Sequence, residues 1–212
     1  MRNGKGRFII TSLSQLPFSQ ACENNKHAII KELQQILATR QQVLEIGSGT
    51  GQHCVFFSSQ LPHLQWQASD QPSYLADLNH RITLEGAVNL IPAIALDVMQ
   101  PWPQALNESE IDAVFTANTL HIMSQAMVNA FFNQIGKHIS QDATLIIYGP
   151  FNYKGRYTSE SNESFDQWLK ENNPESGIRD IEWIETLATE QGFKLQHDFA
   201  MPANNRLLHF SR

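Results

Sequence analysis

The residues with the clearest chemical potential lie in the run 43–51, Val-Leu-Glu-Ile-Gly-Ser-Gly-Thr-Gly. An apolar stretch of strand character enters three glycines at every second position, Gly47, Gly49 and Gly51, and continues into a helical pattern over about 52–60. Glycine at these positions permits a positive φ and removes the Cβ that would collide with a closely approaching ligand. The helix beyond directs unpaired N–H groups and a partial positive charge at that ligand, so an anionic group is favoured there. Ser48 and Thr50 belong to the same candidate cradle. Three further polar positions follow apolar runs: Asp70, Asp97 with Val98 behind it, and Asn118. Asp70 offers two acceptor oxygens where α/β folds bind a ribose diol, and its bland alternative is a helix N-cap before Pro72. The Asn118 amide can donate and accept at once. His121 titrates near neutral pH and could take up a proton; a packed or capping histidine is the alternative. Tyr148 could orient a second substrate through its hydroxyl, against the alternative of a ring buried at a sheet edge.

These groups converge only if the chain folds as an open α/β sheet. Strand patterns cover 43–46, 64–69, 91–96, 111–116 and 144–148, with helical patterns over 19–38, 52–60 and about 127–139. Strands that are apolar for most of their length and separated by helices belong to a parallel sheet buried on both faces, with ligands at its carboxyl edge. Asp70, Asp97 and Asn118 would then line one crevice. A polar, aromatic stretch over 151–162 reads as a surface loop or lid. Helices are expected over about 163–171 and 181–191. Strands over 193–201 and 206–210, joined by the turn Pro202-Ala203-Asn204-Asn205, form a terminal hairpin whose last strand runs antiparallel to the rest.

The chain has 212 residues, 42% hydrophobic and 17% charged, which fits one globular domain over 1–212. Within it, 1–18 reads as an arm and 151–180 as a candidate lid or acceptor-side insertion. Arg2, Lys5 and Arg7 before an apolar triplet imitate a signal peptide, but Thr11, Ser12, Ser14 and Gln15 interrupt the run. No stretch approaches the roughly 20 apolar residues that cross a bilayer, so no membrane partner is expected. A net charge of -6 disfavours extended nucleic acid. Cys22 and Cys54 lack paired spacing, which suits a reducing cytoplasm, and the histidines lack metal-ligand spacing. The sequence leaves the oligomeric state open.

Spacing separates two cofactor classes. A dinucleotide fingerprint places glycines at positions one, three and six, but the sixth position from Gly47 is Gln52, which disfavours an NAD-dependent oxidoreductase. Glu45 two residues before Gly47, with Gly49 and Gly51 following, instead resembles motif I of class I S-adenosylmethionine-dependent methyltransferases. Over nearly the whole chain the sequence resembles a domain-of-unknown-function family of methyltransferase-like proteins of about this length. The likeness is carried by Pro17-Phe18-Ser19, Glu23, Asn25, the glycine motif, Ser69-Asp70, Asn118 and Leu120-His121. It continues through Tyr148-Gly149-Pro150-Phe151, Thr158-Ser159, Ser161-Asn162, Phe165-Asp166, Gly177-Ile178-Arg179-Asp180 and the 202–205 turn; Cys22, where a small apolar residue is expected, departs from it.

The resemblance implies a Rossmann-like class I methyltransferase sandwich, with a mostly parallel seven-stranded sheet and an antiparallel C-terminal hairpin strand. It implies S-adenosyl-L-methionine as cofactor, held by Glu45, Gly47, Ser48, Gly49, Thr50, Gly51, Asp70, Asp97, Val98 and Asn118. Asp97 would meet the adenine amino group and the Val98 N–H a ring nitrogen, while Asn118 would border both the methionine part and the methyl acceptor. The expected function is methyl transfer to a small-molecule acceptor, with His121 and Tyr148 as the candidate catalytic residues. A cofactor-binding protein that acts through a partner without transfer is the alternative, because motif I reports binding rather than turnover. Arg179-Asp180 and Asn204-Asn205 are candidate acceptor-binding groups, against a surface ion pair or helix cap and a hairpin turn.

Overall fold

A computed structural model describes residues 16–107 and 110–212. Most of the expected arm over 1–18 therefore lies outside the described residues. In chain order the elements are α1 (Gln20–Ile36), β1 (Gln42–Ile46), α2 (Gln52–Gln60), β2 (Gln65–Asp70), α3 (Leu75–Glu85), β3 (Leu90–Ala95) and α4 (Gln104–Asn107). Then follow β4 (Ala113–Ala117), α5 (Gln125–His138), β5 (Thr144–Gly149), β6 (Phe151–Asn152), α6 (Glu160–Asn172), β7 (Arg179–Asp180), α7 (Ile181–Glu190), β8 (Lys194–Met201) and β9 (Asn205–Ser211). Short 3₁₀ turns precede α3 and join β8 to β9. Among the described residues no helix is long and apolar enough to cross a membrane.

Seven strands form one sheet in the order β3-β2-β1-β4-β5-β9-β8. The first five are parallel, and β9 runs antiparallel between β5 and β8. This is the class I methyltransferase fold expected from the sequence. Successive strand residues face opposite sides of a sheet. Leu145 and Ile147 of β5 accordingly pack with α5 and α7, while Ile146 and Tyr148 pack with α1 and α2. Both faces are covered, which explains strands without polar alternation.

Local chemistry sets several helix ends. Ser19, Ser124 and Ser159 are N-caps whose hydroxyls accept from the backbone N–H of Cys22, Met127 and Asn162. The cap at Ser159 starts α6 at Glu160, three residues before the expected 163, and β6 pairs in parallel with β7. The expected 151–162 loop is thus partly ordered into strand and helix. Chain order reverses at β1, with β2 on one side and β4 on the other. Such a switch point opens a crevice at the carboxyl ends of those two strands.

Candidate active site

A cavity of about 770 Å³ occupies that crevice. Gly47, Ser48, Gly49 and Thr50 form its floor, Asp70 and Val98 one wall, and Asn118 and His121 the other. All three motif glycines have positive φ, at 76°, 55° and 79°. Their reasons differ. A Cβ on Gly47 would sit 2.5 Å from Thr119 Cγ2, and one on Gly51 2.8 Å from Leu78 Cδ1, so those two glycines permit packing. A Cβ on Gly49 would meet nothing within 4 Å. Gly49 therefore presents bare backbone to open cavity, and the first turn of α2 carries no side-chain cap.

The loop is rigidly tied. Ser69 O accepts from both Gly47 N and Ser48 N at 3.0 Å. Asp70 Oδ2 accepts from Gly49 N at 2.6 Å and Oδ1 from Gln71 N at 2.7 Å. Burial pushes the Asp70 carboxyl up, and the two backbone donors oppose that shift. A carboxylate has about four lone-pair sites, so Asp70 retains capacity for further donors on its cavity side.

Glu45, Gly51, Asp97 and Tyr148 do not line the cavity. Glu45 alternates to the α1/α2 side of the sheet, where Trp66 Nε1 donates to its Oε2 at 2.8 Å. Burial, with Asp70 nearby, pushes its pKa up to about 8 despite that bond. An unfolded glutamate titrates near 4.3. The folded state therefore holds this proton more tightly, and stability present below about pH 4.3 declines as the pH rises through 8. Thermal melts should show the wild-type midpoint falling between pH 5 and 8, and Glu45→Gln flattening that fall; equal slopes in both proteins would refute the assignment. Asp97 Oδ1 accepts from Met99 N at 2.9 Å, the local bond of an aspartate that begins a turn. Only the neighbouring Val98 reaches the cavity.

Tyr148 is 2% exposed, with the side chains of Asn25 and Asn205 near its hydroxyl. Burial pushes it to about 12, so it stays a phenol. His53 Nε2 lies 2.7 Å from Asn25 Oδ1, joining α2 to α1 beside the cavity. His53 and Asn205 line the cavity. His53 falls in the first turn of the expected 52–60 helix, and its pairing with α1 has no local signature in the sequence. Gln52, the residue that breaks the dinucleotide spacing, accepts from Ser19 N at 2.6 Å and donates to Ser19 O at 3.3 Å. Its amide thereby fixes the start of α1 over the glycine loop.

Asn118 is a non-glycine residue at φ 59°, a left-handed conformation that asparagine tolerates better than most. Its backbone N donates to Tyr148 O at 2.8 Å, leaving the side-chain amide at the cavity. His121 is 6% exposed, and no described group hydrogen-bonds its ring. Its ring meets Phe165 edge-on at 5.3 Å. Burial first, then the positive charge of Arg179, lowers its pKa to about 4, so at neutral pH the imidazole is uncharged. Its Nδ1 lies 3.6 Å, and Asn118 Oδ1 4.0 Å, from the point a Cβ on Gly149 would occupy. Ser161, Asn162 and Phe165 of α6 also line the cavity, Phe165 beside His121.

The family model described as "Protein of unknown function (DUF938)" matches residues 16–212. The chain belongs to the DUF938 family. Solved structures extend the comparison by fold. This DUF938 protein is similar to an O-methyltransferase family protein from Burkholderia thailandensis, with a TM-score of 0.73 at 14% identity, covering 88% of this chain and 58% of that one. The mitomycin 7-O-methyltransferase matches with a TM-score of 0.69 at 16% identity, over 87% of this chain and 54% of that one. An O-methyltransferase from neocarzinostatin biosynthesis, solved with S-adenosylmethionine and 2-hydroxy-5-methyl naphthoic acid, matches at 0.73 and 11%, over 90% and 54%. The DUF938 chain thus spans little more than half the length of each of these enzymes.

Proposed function

We propose that this DUF938 protein is an S-adenosylmethionine-dependent methyltransferase that methylates a hydroxyl group of a small molecule. The observation that carries the proposal is the open space over Gly49, at the floor of a cavity whose far wall holds the unpaired His121. The similar folds are of enzymes named as O-methyltransferases, one of them holding both S-adenosylmethionine and a naphthoic acid. A volume of about 770 Å³ falls in the upper part of the range of roughly 300–1,000 Å³ typical of small-molecule sites, which suits a cofactor with a compact acceptor.

The residues fit the cofactor. The glycine backbone and the uncapped amino end of α2 suit its carboxylate, Asp70 its ribose hydroxyls, and Leu96 and Val98 an apolar purine face. When bound, S-adenosylmethionine supplies an electrophilic methyl group. Asn118 orients groups where cofactor and acceptor spaces meet, using an amide that the fold leaves unspent. A hydroxyl that gains a methyl group becomes strongly acidic, so a free ring nitrogen of His121 can take its proton even though the imidazole is weakly basic. α6 keeps bulk water away from that nitrogen. Tyr148 is buried behind the wall rather than at it, and its proton stays on the phenol.

The test is equilibrium titration with S-adenosylmethionine and NADH, followed by a labelled-methyl assay on a panel of hydroxylated and other small molecules. S-adenosylmethionine should bind at one site per chain, NADH should not, and label should appear on a hydroxyl. Binding without transfer to any acceptor would favour a cofactor-dependent partner protein instead. Asp70→Ala should weaken S-adenosylmethionine binding roughly tenfold to a hundredfold, the loss of hydrogen bonds worth about 1.5–3 kcal/mol. Unchanged affinity by calorimetry would remove Asp70 from the site.

A further inference from the structure

Between Asn118 and the start of α5, the chain passes through Leu120-His121-Ile122-Met123 without regular structure. A loop of this kind has no ladder to satisfy its carbonyls, and buried carbonyls without donors are costly. All four are nonetheless bound, and all by one distant segment. Arg179 Nε donates to Leu120 O at 3.2 Å, Gly177 N to His121 O at 2.9 Å, and Ser176 Oγ to Ile122 O at 2.9 Å. A second guanidinium nitrogen of Arg179 donates to Met123 O, and also to Glu175 O at 2.8 Å. The sequence reading offers Arg179 as an acceptor-binding group or a surface ion pair; it is 8% exposed and does not line the cavity.

The segment is itself held by α6. The Asp166 carboxylate, 1% exposed in its residue, accepts from Ile178 N at 2.7 Å, Tyr157 OH at 2.6 Å and Lys170 Nζ at 2.6 Å. A Cβ on Gly177 would approach Asp166 Oδ1 to 3.0 Å, so this packing depends on glycine. The same helix supplies Phe165 against the His121 ring.

We infer that Arg179 is a positioning residue for His121, fixing the imidazole at the cavity wall by bridging the carbonyls on either side of it. This rests on the reading of His121 as the proton acceptor. A neutral amide could bond one carbonyl at lower desolvation cost, yet the position holds a buried cation with no carboxylate in ion-pair contact among the described residues. Its planar fork reaches Leu120 and Met123 together, which one amide cannot do. Its charge also lies toward an imidazole that must stay neutral to accept a proton. Because Asp166 links the segment to α6, an acceptor seated against Phe165 presses on the element that holds His121 in place.

The experiment compares histidine-side-chain NMR spectra of wild type, Arg179→Ala, Arg179→Lys and Ser176→Ala, with S-adenosylmethionine affinity measured by calorimetry in parallel. In Arg179→Ala the His121 signals should broaden or double while those of His63, in the connection between α2 and β2, stay unchanged. Cofactor affinity should remain within about threefold, as expected of a site without shared partners. Arg179→Lys should recover a single His121 signal in part, and Ser176→Ala, which retains Arg179, should disturb it least. With a turned-over acceptor, kcat should fall about a hundredfold in Arg179→Ala, with no additional loss in a His121→Ala background. An unmoved His121 signal in Arg179→Ala would overturn the inference, as would additive losses in the double variant. If Arg179→Ala does not fold, an Arg179→Lys spectrum identical to wild type overturns it. Failure of wild type to bind S-adenosylmethionine would count against the proposed function, and the His121 spectra would still decide the role of Arg179.

Discussion

His121→Ala should lower methyl transfer by about 10²- to 10⁴-fold, the usual contribution of a positioned general base, while S-adenosylmethionine affinity stays at the wild-type value. The expectation follows from geometry before acidity. The ring lines the cavity, is buried, and has no hydrogen-bond partner among the described residues, so its nitrogens are available to a second substrate. Its pKa of about 4 adds a pH signature. Below that value the imidazolium cannot accept a proton; above it the base is ready. The pH profile of kcat/KM should therefore hold its level from about pH 8 down to about pH 5, rather than break near the ordinary histidine value of about 6.5. A break near 6.5 that disappears in His121→Ala would mean that the imidazole is far less desolvated than its burial implies. An unchanged rate in His121→Ala would eliminate it as the base.

The second large effect is expected at Gly49. Gly49→Leu should abolish measurable cofactor binding, a loss of about a hundredfold or more, equivalent to at least about 2.7 kcal/mol, in a protein that still folds. No atom lies within 4 Å of the Cβ position, so the folding cost is confined to placing a side chain at φ 55°, about 1–2 kcal/mol. The added side chain enters the cavity instead. Gly51→Ala supplies the contrast. Its Cβ would press on Leu78 Cδ1 at 2.8 Å and Arg81 Cδ at 3.1 Å, beside the guanidinium that donates to Thr50 O and Pro17 O. That variant should lose about 1–3 kcal/mol of stability through overpacking. Urea titrations and calorimetry on the two variants would separate the roles, and wild-type affinity in Gly49→Leu would show that the floor of the cavity is not a binding surface.

What the sequence made legible was periodic or local. The alternation of apolar runs placed the sheet strands within about two residues, because burial on both faces leaves an unbroken apolar signal. The turn at 202–205 declared the antiparallel end, and the glycine spacing declared a strand-to-helix turn with positive φ at all three glycines. Helix α3 was not located, because only Leu78 and Ile82 among its apolar residues are buried while Leu84 is exposed, which blurs the apolar stripe. α6 began earlier than its apolar pattern because Ser159, a capping residue, set the start.

The site divided along the same line. Gly47, Gly49, Asp70, Val98, Asn118 and His121 follow directly from strand ends and converge on the cavity. Glu45 precedes the loop by two residues, and strand alternation turned it to the other face beneath Trp66. Asn25, His53 and Asn205 come from three separate segments, and nothing in the spacing of any one of them announces the others. Arg179 carries the same lesson: a charged residue reads as surface until its three carbonyl bonds, at Leu120, Met123 and Glu175, are seen in space.

The proposed methyl transfer requires the glycine loop to be a binding surface in the same cavity as His121. Its most direct test is a crystal structure grown with S-adenosylhomocysteine. The account predicts the ligand between Gly47–Gly51 and Asp70, its sulfur end toward Asn118 and His121, with backbone N–H groups of the loop against its carboxylate. A ligand bound elsewhere, or a cavity that stays free of it at saturating concentration, would contradict the account.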